Sequence, residues 1–144
     1  SAASWKMVGG RETLASYGSG SLDDVPEAHW EFLESSLPIY EIDTHFFVHA
    51  GVDPDLALAD QPESELYWSR FFHPSLHHSG KQMVCGHTPQ ETGIPRVAPG
   101  GICIDTYAYA KYGWLTCLDV EGETFYQANE SGETRSGNLL DLAA

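Results

Sequence analysis

Basic residues and long apolar runs are both scarce in this sequence of 144 residues. Lysine and arginine total 7 against 21 aspartate and glutamate residues, which gives a formal net charge of −14. Such an acidic surface repels phosphate backbones, so the charge balance argues against nucleic-acid binding. No apolar run approaches the roughly 20 residues that a membrane-spanning helix needs, and we therefore expect no membrane partner.

Cysteine is scarce as well, and its spacing excludes the usual cysteine frameworks. The sequence has 3 cysteines and no Cys-x-x-Cys pair, which is a poor pattern for a disulfide framework or a zinc clip. Because Cys85, Cys103 and Cys117 each lie in an apolar, strand-like run, we expect three buried thiols. A reducing cytoplasm is the compartment that fits this usage.

Apolar residues are nevertheless numerous enough for a packed core. They make up 42% of the sequence and aromatic residues 12%, which fits one globular domain and excludes disorder. The paired glycines at 9–10 predict a break before a short helix, and Pro38 predicts the end of a later one. The pattern predicts helices over 10–17, over 24–37 with Asp24 as N-cap, and over 63–72. It also predicts a hairpin from 114–120 and 124–128, and a frayed segment over 129–144.

Three short apolar runs are each followed by a polar residue whose side chain could take part in a functional site. His49, His87 and Asp105 follow the runs 46–48, 83–85 and 102–104. Such runs are typical of buried strands in an α/β or α+β sheet, where loops at the strand ends commonly build the site. Two imidazoles aimed at one point can bind a divalent metal, whereas a single loop histidine is more often structural. Asp105 can ligate a metal, orient a histidine or cap the turn that follows.

One arginine and a second group of histidines complete the candidates. The guanidinium of Arg70 suits bidentate capture of a phosphate, and the alternative is a surface ion pair with an acidic neighbour. A solvated loop is the expected setting of His73, His77 and His78, because none of them follows a buried run.

Four segments in order carry a family resemblance. They are FVHAGV at 47–52, LYWSR at 66–70, VCGHTP at 84–89 and IDT at 104–106. In this order they resemble the C-terminal half of calcineurin-like metallophosphoesterases, in the bacterial serine/threonine phosphoprotein phosphatase branch. The resemblance extends from the glycines near the start to about Ala128, so 1–128 would be the C-terminal portion of such a domain.

The resemblance implies a fold, a reaction and a site. The fold would be part of a four-layer α/β/β/α sandwich, and the reaction would be metal-dependent hydrolysis of phosphomonoesters. The site would use two divalent ions, with manganese expected and iron or zinc as alternatives. The resemblance assigns His49 and His87 to the second metal, Arg70 to a phosphate clamp, and Asp105 to a supporting position around the metal ligands or a structural one. The substrate would be a phosphorylated protein, on serine or threonine, or a small phosphoester.

The family's first three motifs are missing, and this departure defines the alternatives. Gly-Asp-x-His-Gly, Gly-Asp-x-x-Asp-Arg-Gly and Gly-Asn-His-Glu do not occur, and the sequence opens at Ser1 rather than at methionine. We therefore expect a processed or truncated product that is inactive or nearly so without the N-terminal half. One alternative function is a dinucleoside-polyphosphate hydrolase of the same fold. The other is a non-catalytic binding module that retains the half-fold.

Overall fold

The computed structural model describes residues 2–18 and 20–142. Within these ranges the chain has a mixed, α+β architecture with two β-sheets and a few short helices. It divides into two compact units, 1–37 and 38–144. None of the helices in the described ranges is long and apolar enough to cross a membrane.

The first unit is helical and is interrupted at its paired glycines. Helix α1 covers Ala2–Trp5 and helix α2 covers Arg11–Ser16, which confirms the helix predicted over 10–17. The backbone leaves helical geometry between them at Val8 and Gly9, where Gly9 has a φ of 105°. Glycine adopts such a positive φ without steric cost, so the predicted break is confirmed at this residue.

Helix α3 is shorter than the sequence pattern predicts. It covers Glu27–Glu34, and Asp24 lies instead in a 3-10 turn, Leu22–Asp24, that precedes it. The hydroxyl of Ser35 donates to the carbonyl oxygen of Phe32 at 2.8 Å. This bond satisfies a carbonyl of the last turn, so the helix ends before Pro38 is reached.

The second unit contains a five-stranded sheet. Its strands are β1 (Ile39–Glu41), β2 (His45–Val48), β3 (Gln82–Cys85), β4 (Arg96–Ala98) and β5 (Gly101–Cys103). They lie side by side in the order β1-β2-β3-β5-β4. Strands β2, β3 and β5 are parallel, and β1 and β4 pair antiparallel at the two edges. The three predicted buried runs therefore form the centre of one sheet, and their carboxyl ends share one edge.

The parallel strands are buried because apolar side chains cover both faces of the sheet. On one face Phe46, Met83 and Cys103 belong to a cluster that also includes Phe71. On the other face Val84 and Ile102 pack with residues of the second sheet. Continuous apolar runs such as MVC and GIC are what a strand covered on both faces requires.

The helix before the site is also shorter than predicted. Helix α4 covers Glu63–Trp68, preceded by a 3-10 turn at Leu58–Asp60, whereas the pattern predicts a helix over 63–72. The backbone N–H of Phe71 donates to Thr88 Oγ1 at 2.9 Å rather than to a helical carbonyl. This tertiary bond replaces the next helical turn, so Arg70 lies in an extended segment beyond the helix.

The second sheet is an antiparallel meander of three strands. Strands β6 (Leu115–Asp119) and β7 (Thr124–Ala128) form the predicted hairpin. Strand β8 (Thr134–Asn138) pairs with β7, and a 3-10 turn at Leu139–Leu142 buries Leu139 in the core.

The expectation of a frayed segment over 129–144 is therefore wrong for 134–142, and its last two residues, 143–144, lie outside the described residues. The polar residues before β8 form a turn, since Asn129 Oδ1 accepts the N–H groups of Ser131 and Glu133 at 3.1 and 3.0 Å. This is the turn chemistry that asparagine favours. Polar composition here encodes a hairpin turn and an edge strand rather than disorder.

The prediction of three buried thiols holds for two of them. Cys85 and Cys103 are buried and face one another across β3 and β5, whereas Cys117 is exposed. Strand β6 alternates between exposed and half-buried positions, and Cys117 falls on its outer face. The apolar neighbours Leu115 and Leu118 do not reveal this, because alternation assigns them to opposite faces.

Candidate functional site

The imidazoles of His49 and His87 meet at the carboxyl edge of the parallel strands. His49 follows β2 directly and His87 lies two residues beyond β3, and the N–H of Gly86 donates to the carbonyl of His49 at 2.9 Å. His49 Nε2 and His87 Nδ1 are 3.1 Å apart, with ring centroids separated by 4.9 Å. The two side chains that the sequence places after matching strands are therefore in direct contact.

The contact between these nitrogens fits two chemical states. Without a metal, one ring donates a hydrogen bond to the other, which requires the same tautomer in both rings: Nε2–H in both if His49 donates, or Nδ1–H in both if His87 donates. Two imidazole nitrogens that bind one divalent ion at about 2.0–2.1 Å are about 3 Å apart when they are adjacent ligands. The donor set therefore fits two ligands of one ion, and the remaining ligands would come from elsewhere.

His87 occupies a backbone conformation that side chains rarely adopt. Its φ is 61°, in the left-handed region, and it is one of three non-glycine residues with a positive φ in the described ranges. This conformation costs about 1–2 kcal/mol for a residue with a Cβ. Residues held in this way cluster at functional sites, where surrounding contacts impose the geometry.

Electrostatics at His87 favour the neutral imidazole. Burial lowers the pKa of His87, and the neighbouring His49 and Arg70 lower it further, while Asp105 and a backbone hydrogen bond with Trp68 act in the opposite direction. The ring of Trp68 also stands edge-on to His87, with centroids 6.0 Å apart. A neutral imidazole is the form that binds a metal ion.

Arg70 lies beside the imidazole pair. Its Nη1 donates to the carbonyl oxygen of His87 at 3.2 Å, and the side chain is otherwise exposed. The alternative of a surface ion pair finds no support in the part of the chain that the structure describes, where Lys81 and Glu41 form the ion pair that is seen. The guanidinium keeps donors available for an anion, since one backbone bond uses only one of its five.

A cleft opens next to this guanidinium. Its volume is about 240 Å³, and Ser69, Arg70 and His73 contribute to its wall. Larger depressions exist, such as one of about 540 Å³ over the outer face of the second sheet, but Arg70 does not line it. The cleft at Arg70 adjoins the guanidinium, whereas neither His49 nor His87 contributes to its wall.

The extended segment that carries Arg70 is fixed by two residues that sequence patterns do not reveal. Thr88 Oγ1 accepts the N–H of Phe71, and Arg96 donates to the carbonyls of Phe71 and Phe72 at 3.0 and 2.8 Å. The sequence signal for Thr88 is weak, since it is only a threonine that follows the Gly-His pair. Arg96 stands in a short edge strand, and nothing in its sequence surroundings points to the site.

Asp105 caps a turn, which is one of the three roles that the sequence leaves open. Its Oδ1 accepts the N–H of Tyr107 at 3.2 Å, and Tyr107 has a φ of 67°. Its carbonyl oxygen accepts the N–H of Gln90 at 2.8 Å. Asp105 lies near enough to His87 to influence its pKa, yet the hydrogen bonds are those of a turn residue.

The loop of three histidines is not uniformly solvated. His73 and His78 are exposed, as expected, but His77 is only 2% exposed, so the expectation is wrong for that residue. Its Nε2 bonds the carbonyl of Leu56 at 2.8 Å and its Nδ1 bonds Ser79 Oγ at 2.8 Å. Because both ring nitrogens are engaged, His77 is a satisfied core residue.

The described residues contain no group of three or more His, Cys, Asp or Glu side chains that could hold a metal ion. The site consists of two convergent imidazoles, one guanidinium and a cleft. No family model, no curated protein and no solved structure matches this chain.

Proposed function

We propose that residues 1–128 are the C-terminal portion of a calcineurin-like metallophosphoesterase domain, in the bacterial serine/threonine phosphoprotein phosphatase branch. The reaction proposed is metal-dependent hydrolysis of phosphomonoesters in the cytoplasm, within a four-layer α/β/β/α sandwich. The observation that carries the proposal is the convergence of His49, His87 and Arg70 at the carboxyl edge of three parallel strands.

Each of the three residues has a role that its chemistry supports. His49 and His87 would supply imidazole nitrogens as two ligands of one divalent ion, with manganese the expected metal and iron or zinc as alternatives. Arg70 would bind phosphate oxygens and offset the negative charge that grows on them during transfer. A bound divalent ion would polarise the phosphoryl group and lower the pKa of a coordinated water.

The candidate site is suited to binding the phosphate group of the substrate. A planar guanidinium beside an open cleft suits a terminal phosphate with free oxygens, as in phosphoserine or phosphothreonine. The net charge of −14 is compatible with this substrate, because bound metal ions supply local positive charge.

The chain alone holds too few ligands for a dinuclear centre. Two imidazoles are available where the family uses about six or seven ligands in all, so hydrolysis by this chain is expected to be absent or nearly so. A test of the proposal with this chain therefore measures binding of the product, inorganic phosphate.

Calorimetric titration with inorganic phosphate in the presence of Mn²⁺ tests the clamp. Charge-assisted hydrogen bonds contribute about 1.5–3 kcal/mol, so Arg70→Ala is expected to weaken phosphate binding roughly 10- to 100-fold. Arg11→Ala, an exposed arginine of the first unit, is the matched control for loss of one positive charge.

Equal phosphate affinity in the wild type and Arg70→Ala would contradict the assigned role of Arg70. Turnover of p-nitrophenyl phosphate by this chain, dependent on Mn²⁺ and lost in His87→Ala, would overturn the expectation that it is inactive alone. Tight binding of a protein partner without any divalent metal binding would favour the non-catalytic module. Faster hydrolysis of diadenosine tetraphosphate than of a phosphopeptide, by a chain carrying the missing motifs, would favour the dinucleoside-polyphosphate hydrolase.

A further inference from the structure

The backbone carbonyl groups of Gly86, His87 and Thr88 all accept hydrogen bonds from side chains. The carbonyl of His87 accepts from Arg70, and that of Thr88 accepts from Gln90 Nε2 at 2.6 Å. The Sγ of Cys103 donates to the carbonyls of Gly86 and Thr88 at 3.6 and 3.4 Å. One thiol therefore bonds the backbone on both sides of the residue with the positive φ.

Cys103 lies in the sheet, with its sulfur against the loop of residues 86–88. It lies on β5, is 0% exposed, and is directly opposite Cys85 on β3 in the sheet register. Gln90 Nε2 also reaches its sulfur at 3.7 Å, so the same amide contacts both the thiol and the carbonyl of Thr88. The sulfur is thus surrounded by polar groups of the loop, although the cluster around it is apolar.

The protonation state of Cys103 follows from these surroundings. The pKa of the Cys103 thiol is lowered, chiefly by the hydrogen bond with Cys85, and burial opposes this only in part. The two carbonyl oxygens at 3.6 and 3.4 Å act in the opposite direction, because they can only accept a hydrogen bond and would repel a thiolate. We therefore assign the protonated thiol as the form that faces the loop.

We propose that Cys103 is a positioning residue for His87, acting through a single S–H that the carbonyls of Gly86 and Thr88 share as acceptors. This inference rests on the proposed function, because it explains how one of the two metal-binding imidazoles is held. The strained backbone at His87 needs restraints on both sides, and Cys103 supplies one on each. Cys103 itself would not contact the metal or the phosphate.

A packing role and a hydrogen-bond donor role of Cys103 predict opposite orders for how well its substitution variants retain function. Serine keeps a hydroxyl donor but is less suited to an apolar cluster, whereas alanine and valine are apolar and have no donor. If Cys103 only fills space, Cys103→Val and Cys103→Ala should be tolerated better than Cys103→Ser. If it positions His87, Cys103→Ser should retain function and both apolar variants should lose it.

Binding of Co²⁺ to the full chain separates the two roles. Groups that orient a metal ligand typically change metal affinity about 10- to 100-fold when they are removed. We expect Cys103→Ala and Cys103→Val to weaken Co²⁺ binding about tenfold, and Cys103→Ser to stay within about threefold of the wild type. Cys117→Ala and Cys117→Ser are the controls for the same chemical changes, since that thiol is exposed on β6 in the second sheet.

The Co²⁺ spectrum gives a signature that packing does not change. No sulfur-to-cobalt charge-transfer band is expected, because Cys103 is not a ligand, and such a band would overturn the proposal. Apolar variants that bind Co²⁺ like the wild type would also overturn it, as would a Cys103→Ser variant that binds as poorly as Cys103→Ala.

A second readout needs no metal and keeps the inference distinct from the proposed function. Amide hydrogen exchange at 86–88 in the metal-free chain should accelerate in the two apolar variants and remain slow in Cys103→Ser and the Cys117 variants. If the wild type binds no Co²⁺, the metal-binding part of the proposed function fails. The exchange rates then decide whether Cys103 holds the loop, and unchanged rates would overturn that role. Alanine and valine differ in volume, so if either Cys103→Ala or Cys103→Val fails to fold, the other variant can still be measured.

Discussion

The residue with the most constrained environment in the candidate site is His87. Its imidazole meets His49, its carbonyl accepts from Arg70, and its φ of 61° lies where side chains are disfavoured. His49 has no such backbone conformation, although it contributes the other half of the imidazole pair. The two histidines therefore offer a comparison in which side-chain chemistry is matched and backbone strain is not.

Glycine and alanine substitutions at these two positions measure that strain. At position 87, His87→Gly should be more stable than His87→Ala by about 1 kcal/mol, because only glycine accepts a positive φ freely. At position 49 the order should reverse, with His49→Ala more stable than His49→Gly. Urea unfolding of the four variants without metal checks this prediction, and the same order at both positions would contradict it.

At the scale of the elements, the second sheet is joined to the rest of its unit by a buried amide. Gln127 on β7 is 3% exposed, and its Nε2 donates to Gly93 O at 2.9 Å and to Thr116 Oγ1 at 2.8 Å. Its Oε1 accepts from Arg135 Nε at 2.7 Å, and the guanidinium of Arg135 stacks 3.9 Å above the ring of Trp114. This network ties β6, β7 and β8 to the loop that precedes β4.

Removal of this amide should destabilise the second sheet. Gln127→Ala leaves Arg135 Nε without its acceptor and removes one hydrogen bond each from Gly93 O and Thr116 Oγ1, and we expect a loss of about 1–3 kcal/mol in the free energy of unfolding. Ser136→Ala, on the outer face of β8, should change it by less than about 0.5 kcal/mol. Urea unfolding compares the two variants, and equal stability of both would show that the network contributes nothing.

At the scale of the elements, features encoded by local sequence patterns could be predicted, whereas features that depend on tertiary contacts could not. The runs before His49, His87 and Asp105 identified three strands correctly, because continuous apolar residues encode burial on both faces. The early end of α4 at Trp68 depends on the bond from Phe71 to Thr88, two residues 17 positions apart. Strand β8 escaped prediction because its polar residues serve a turn and an edge strand.

The same division applies to the candidate site. The approach of His49 to His87 follows from parallel strands that share a carboxyl edge, so it could be predicted from strand order alone. The positive φ of His87 and the support of its loop by Cys103 and Gln90 depend on packing, which a local pattern does not encode. The burial of His77 was missed for the same reason.

At the scale of the whole molecule, the excess of negative charge is the dominant electrostatic feature. The formal net charge is −14, and in the described part of the chain the ion pair between Lys81 and Glu41 at 2.7 Å does little to offset it. Unscreened repulsion of this kind destabilises the compact state. Salt should therefore stabilise the chain rather than weaken it.

Unfolding at two ionic strengths tests this expectation. Between about 0.01 M and about 0.15 M salt the Debye length falls from about 30 Å to about 8 Å, so most long-range repulsion is removed. We expect the free energy of unfolding to rise by an amount on the order of 1 kcal/mol with NaCl. A decrease over the same range would mean that attractive pairs, rather than repulsion, dominate the electrostatics.

We propose that His49 and His87 together bind one divalent metal ion. Electron paramagnetic resonance of Mn²⁺ titrated into the full chain measures this directly, with His73→Ala as the control for loss of an exposed imidazole from the neighbouring cleft. We expect one Mn²⁺ per chain in the wild type and in His73→Ala, with affinity reduced at least about tenfold in His49→Ala and in His87→Ala. Equal Mn²⁺ binding in all four proteins, or none in the wild type, would contradict it.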